Sequence, residues 1–200
     1  MKCTNKTKLR VITLSLLSTL IAAPAMVWAD DVENAIKEAL DAYKNKDIAA
    51  AQESLDYAGQ LLRQQKGGML EKYLPAPLDG WQAEDASSAA AGAGFLGGGV
   101  TAERVYKKGE KRITVSMVTD SPMLQGVMMM FGNPMFATSD GGKMQRINGQ
   151  KAIVKMQPSD SHGEIRMVVN NTLVTVEGRA DETELKAYAE KINVKGLAGN

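Results

Sequence analysis

Apolar positions along the chain change period once, and that change divides it. From Asp30 to about Leu74 they recur every three to four residues, the repeat of helices with one apolar face. Ile36, Ala39, Leu40 and Tyr43 make the first stripe. Ile48, Ala51, Leu55, Ala58, Leu61 and Leu62 make the second, after the polar break Lys44-Asn45-Lys46-Asp47. Asp30 or Asp31 can cap the first helix and Asp47 the second, which Gly67-Gly68 ends or loosens. So short a link makes the pair an α-hairpin. Its stripe needs cover from the rest of the chain, a twin or a partner.

From Leu78 the period becomes two. Trp81–Glu84, Thr101–Lys107, Lys111–Val118, Lys143–Ile147, Gln150–Gln157, Glu164–Val169 and Thr172–Glu177 read as strands. Lys108-Gly109-Glu110, Asn148-Gly149 and Asn170-Asn171 are turn sequences between consecutive strands. Asp181-Glu182-Thr183-Glu184 is a capping-box sequence, and Leu185, Tyr188, Ala189 and Ile192 line one face of the helix behind it. The pattern predicts an α+β fold: an antiparallel sheet with segregated helices over 75–200, preceded by the hairpin over 30–74.

One apolar segment follows neither period. In "MLQGVMMMFGNPMF", Met123 to Phe136, Ser121 is a good N-cap, Pro122 a good first helical residue, and Gly132 with Pro134 a stop. This predicts a helix from Pro122 to about Phe131, with Met123, Val127, Met130 and Phe131 on one side. A helix apolar nearly all round is usually buried, so core is its first role. Its second is an apolar contact surface, because methionine is flexible and polarisable and adapts to irregular partners. The glycine-rich run Ala89–Gly99 would join it there. Phe95, Leu96, Met128, Met129, Met135 and Phe136 are the candidate partner-binding residues. Otherwise Ala89–Gly99 is a plain flexible loop.

Two resemblances add to this. "ALDAYKNKDIAAAQESLDYAGQLL" resembles a single tetratricopeptide-type helical unit. "LPAPLDGW", "ITVSMVTDSPM", "INGQKAIVKM" and "IRMVVNNTLVTVEG", with the closing helix, resemble the PsbP-like α/β/α sandwich domains of exported bacterial proteins. That resemblance spans Leu78 to Leu197 and implies a non-enzymatic accessory or binding role; it carries over no catalytic residue.

Composition bears on compartment and chemistry. Lys2, Lys6, Lys8 and Arg10 precede an apolar run from Val11 to Ala23, and Val27-Trp28-Ala29 has small residues where a signal peptide is cut. Export to the periplasm with cleavage before Asp30 is the expectation. Removing residues 1–29 takes away four of 24 basic and none of 23 acidic residues, so net charge goes from +1 to −3. That argues against a nucleic-acid partner. The one cysteine, Cys3, would leave as well.

The remaining candidate chemistry is thin. Gly92-Ala93-Gly94-Phe95-Leu96-Gly97 has the dinucleotide-binding spacing without the strand and helix that motif requires. Asp160-Ser161-His162-Gly163-Glu164 gathers an acid, a hydroxyl and the lone histidine in an expected solvated hairpin loop, where neighbours in sequence do not make a triad. No cofactor is expected, nor an enzyme. Arg104, Lys107, Lys108, Lys111 and Arg112 form a basic hairpin. They are read as a charged edge that deters strand pairing; peripheral contact with anionic membrane headgroups is the alternative. The expected partner is an envelope protein or a hydrophobic ligand. The competing reading is a Cu(I)-handling protein, with thioethers of Met123, Met128, Met129, Met130, Met135, Met144, Met156 and Met167 and the imidazole of His162 as ligands.

Overall fold

The computed structural model describes residues 27–91, 98–133, 135, 141–157 and 161–199. The expected signal segment up to residue 26 lies outside them. Helices α1 (Val27–Lys44) and α2 (Ile48–Glu71) form the hairpin. Asp47 caps α2, its carboxylate accepting from the Ala50 amide at 3.0 Å. Helix α1 starts at Val27, so Asp30 lies in its first turn and is not its cap.

The strands are β1 (Gln82–Ala83), β2 (Ser87–Ala91), β3 (Gly99–Lys108), β4 (Lys111–Thr119), β5 (Lys143–Ile147), β6 (Gln150–Gln157), β7 (His162–Val169) and β8 (Thr172–Arg179). Helix α3 (Leu124–Gly132) follows β4, and α4 (Glu182–Lys191) and α5 (Val194–Ala198) close the chain. All pairing is antiparallel, in the order β1-β3-β4-β8-β7-β6-β5, with β2 also on β3. The sheet is thus a β3–β4 hairpin and a β5–β8 meander, joined where β4 pairs with β8. Gly178 makes that junction possible: at φ +150° a Cβ there would lie 2.0 Å from the Arg112 carbonyl oxygen. Asn148 and Gly149, at φ 49° and 76°, make the tight turn their sequence predicts.

One face of this sheet is the core. Ile113, Val115 and Met117 of β4, Val174 and Val176 of β8, and Ile165 and Met167 of β7 alternate inward and are fully buried. They pack with Leu70 at the end of α2, Leu74 in the turn after it, Leu185, Tyr188 and Ala189 of α4, and Leu197 of α5. Leu70 and Leu74 tie the hairpin into the sheet's core across the expected boundary at 74/75. The Tyr106 and Tyr188 rings lie 4.3 Å apart, with Trp81 edge-on to Tyr188 at 5.4 Å. Their hydroxyls fix the proline-rich link: Tyr106 donates to the Pro75 carbonyl at 2.7 Å, and Tyr188 accepts from the Leu78 amide at 3.3 Å. Burial pushes the Tyr106 hydroxyl up to about 12.

Several expectations are corrected. The hairpin stripe splits: Ala35 and Ala39 of α1 and Ala51, Ala58 and Leu61 of α2 are buried, whereas Ile36, Leu40, Tyr43, Ile48, Leu55 and Leu62 are exposed. Alanine lets two helices approach closely, and the larger residues flank the seam. Part of the small-residue run is a strand, β2, paired with Gly99–Glu103. It lies so close to α2 that a Cβ on Gly67 would be 2.9 Å from Ser88. His162, Gly163 and Glu164 belong to β7 rather than to a loop, and Asp160 lies outside the described residues. The basic hairpin is not an edge, because β1 and β2 cover β3.

Candidate functional site

The second face of the sheet carries the alternate residues, and its composition changes along the strands. Direct cross-strand partners form rows. At one end lie Lys107, Arg112, Arg179 and His162. Next come Val105, Thr114, Glu177, Glu164 and Lys155, then Glu103, Ser116, Thr175, Arg166 and Ile153. The last row is Thr101, Val118, Leu173 and Val168. The face therefore grades from basic, through paired charges and hydroxyls, to apolar.

Helix α3 lies across the apolar end. It is held by a small cluster of its own: Phe131 on Ile153, with Val127, Met144 and Val168 around them. Its start turns on Asp120, at φ 57°, and on the Ser121 hydroxyl, which accepts from the Met123 amide at 3.3 Å. The helix begins at Leu124, two residues later than the sequence suggests, because Pro122 and Met123 complete a tighter turn first.

Between α3 and the sheet is a groove of about 310 Å³. Val127, Met130 and Phe131 form its roof, and Val118, Leu173 and Ile153 the apolar floor. Ser116 and Thr175 place hydroxyls in the floor, and Lys155, Glu164, Arg166 and Glu177 line the polar side. Arg166 is ion-paired with Glu164. The size is near the lower end for small-ligand sites, about 300–1,000 Å³, and the mix of apolar walls with a few polar groups is the usual one.

The expected partner-binding residues are not gathered in one place. Met128 half-faces a side cleft with Phe131, Gln150 and Val168. Met129 and Met135 stand out in solvent, 75 % and 78 % exposed. Phe95, Leu96 and Phe136 lie outside the described residues. Burial of the whole helix is corrected too: only Leu124 and Phe131 are buried, because the sheet covers one side of α3 and leaves Gln125, Gly126 and Met129 in solvent. Met130, not Met129, roofs the groove. Sequence reading singled out neither Ser116, Leu173 nor Thr175. The signal available was outward-facing hydroxyl and aliphatic residues alternating with core positions in β4 and β8.

The basic hairpin is largely engaged within the molecule. Lys111 reaches Glu184 at 2.6 Å and Asp181 at 3.3 Å, Lys108 reaches Glu184 at 3.6 Å, and Lys107 pairs with Glu84 at 2.5 Å. The hydrogen bond from Lys107 holds the Glu84 carboxyl below its ordinary range. Hydrogen bonding to Glu184 raises the Lys111 ammonium above its own. The Glu184 amide lowers Asp181, its capping-box partner.

For the thioether reading, the α3 methionines are distant from His162, whereas Met156 lies on the adjoining strand opposite Gly163. His162 lies six residues along β7 from Val168, which packs against α3, a run of about 20 Å. Among the described residues no group of three or more His, Cys, Asp or Glu is gathered to hold a metal ion. Among them, too, no helix is long and apolar enough to cross a membrane. The class defined by fold and site is an α+β protein with one closed sheet face and one grooved face. The chain matches no protein-family model, and no curated protein matches it.

Proposed function

We propose that this is an exported, non-catalytic binding protein that holds an apolar segment of a protein or ligand in the cell envelope, in the groove between α3 and the open sheet face. One observation carries the reading: an apolar floor of Val118, Leu173 and Ile153 lies under a helix with two buried side chains, Leu124 and Phe131. A helix held by so few buried side chains can shift to admit a guest, since local opening costs far less than global unfolding. Met130 and Val127 then follow the guest's shape, while Ser116 and Thr175 satisfy an occasional polar atom. The basic leader and the small residues before Asp30 support export.

The test is a photo-crosslinking amino acid in place of Met130, irradiated in intact cells. The reading predicts a discrete adduct that Leu173→Glu abolishes without lowering the melting temperature. No adduct, or one indifferent to Leu173→Glu, contradicts it.

A further inference from the structure

We infer that the α-hairpin is the dimerisation surface of this protein, pairing with the hairpin of a second copy about a twofold axis near Gly59. The inference is independent of the groove, which lies on the opposite face of the sheet. It starts from the partition of the hairpin's apolar residues. The alanine seam joins α1 to α2, and the end of α2 joins the hairpin to the sheet. Ile36, Leu40, Tyr43, Ile48, Leu55 and Leu62 belong to neither contact and are 47–65 % exposed.

Their spacing is ordered. On α1 they stand four and three residues apart. On α2, Ile48, Leu55 and Leu62 stand seven apart, and Met69, also exposed, continues the series. A seven-residue repeat is the seam of a helix that packs along another helix. At 100° per residue, both stripes lie clockwise of the alanine seam when each helix is viewed from its N-terminus. In an antiparallel pair this puts both stripes on one side of the hairpin, as a single face.

Three properties point to a second copy as the occupant. The first is area: six such side chains expose on the order of 600 Å² per copy, at the top of the range for a monomer's largest apolar patch and close to the roughly 800 Å² each partner gives a stable interface. The second is self-complementarity, which a twofold contact demands. An antiparallel crossing that sets Leu55 beside Leu62 of the second copy sets Leu62 beside Leu55 as well. Gly59 then lies at the crossing, where a Cβ would meet only the Arg63 guanidinium, at 3.4 Å. The third is charge. Asp56 and Arg63 follow Leu55 and Leu62 directly and flank the stripe. Among the described residues neither forms an ion pair. The same twofold brings Asp56 within a helical turn of Arg63 of the second copy, and does so twice.

Sedimentation equilibrium of the purified protein tests this. The expected result is twice the chain mass, with Leu62→Glu raising the dissociation constant at least about 100-fold, as removal of a central apolar anchor does. Because Leu62 is already half exposed, the variant keeps the parent's circular dichroism and, at concentrations where the parent dimer has dissociated, its melting temperature. Asp56→Arg weakens the dimer and Asp56→Arg with Arg63→Asp restores it. In a Cys3→Ser background, Gly59→Cys gives a disulfide-linked dimer on mild oxidation, whereas Glu53→Cys, on the far side of α2, does not. A monomer at about 100 μM overturns the inference, given the area at stake. So does a dimer indifferent to Leu62→Glu, a charge swap that fails to rescue, or a monomer that instead co-sediments with phosphatidylglycerol vesicles.

Discussion

Helices α3 and α4 lie on opposite faces of one sheet, and their burial does not follow their composition. Helix α4 carries Glu182, Glu184, Lys186, Glu190 and Lys191 in ten residues, yet its Leu185, Tyr188 and Ala189 are fully buried. Helix α3 has no charged residue, yet only Leu124 and Phe131 are buried and Met129 is exposed to solvent. Average hydropathy does not decide which helix is core. Period and the facing surface do: α4 presents an apolar stripe to a face that is apolar along its central strands β4, β8, β7 and β6, whereas α3 meets one that is apolar at one end only. The first arrangement makes a closed core, the second a groove.

The largest expected effect tests the closed side. Tyr188→Ala removes a ring packed on Tyr106 and Trp81 and should cost about 4 kcal/mol in urea unfolding. Phe131→Ala, the matching truncation under α3, should cost about 1–2 kcal/mol, because its small cluster can collapse around the loss. Equal costs would break the comparison. Asp181→Ala removes the cap of α4 and should cost about 1 kcal/mol. Asp181 and Glu182 are both held below the ordinary carboxyl range, by the Glu184 amide and by Lys186 respectively. Their contribution is therefore present at neutral pH and lost as pH falls through the folded values, so acid titration of Asp181→Asn should show a shallower decline.

Tyr106→Phe should cost about 1 kcal/mol for the lost bond to Pro75. The folded hydroxyl titrates near 12 against about 10 when unfolded, so the native state holds the extra proton in between. Parent stability should fall as pH rises from about 10 to 12, and the Phe variant should lack that decline. Smallest of all, Met129→Ala should change stability by less than about 0.5 kcal/mol, since its side chain is in solvent.

Much of the fold was legible because local chemistry and period agreed. Asn148-Gly149, the capping box at Asp181 and the β4, β7 and β8 alternations each point to one structure. Strand β2 was not legible: Ser87-Ser88-Ala89-Ala90-Ala91 has no alternation, and it pairs because α2 packs closely on small residues. The hairpin stripe was half legible. Period three to four finds Ala39 and Leu40 together, but which of them faces α1–α2 and which faces outward depends on helix separation, a tertiary quantity. The groove was least legible. Methionine richness led to α3, yet the floor at Val118, Leu173, Ser116 and Thr175 exists only once β4 and β8, more than fifty residues apart in sequence, lie side by side.

The central claim is that one face of the sheet is closed for good and the other only by a helix that can leave. Native-state hydrogen exchange measures this residue by residue. The amides of Met128 to Phe131 in α3 should exchange through local opening, at a free energy at least about 2 kcal/mol below that of Tyr188 and Ala189 in α4, which should open only with the whole protein. Matching protection in the two helices would contradict it.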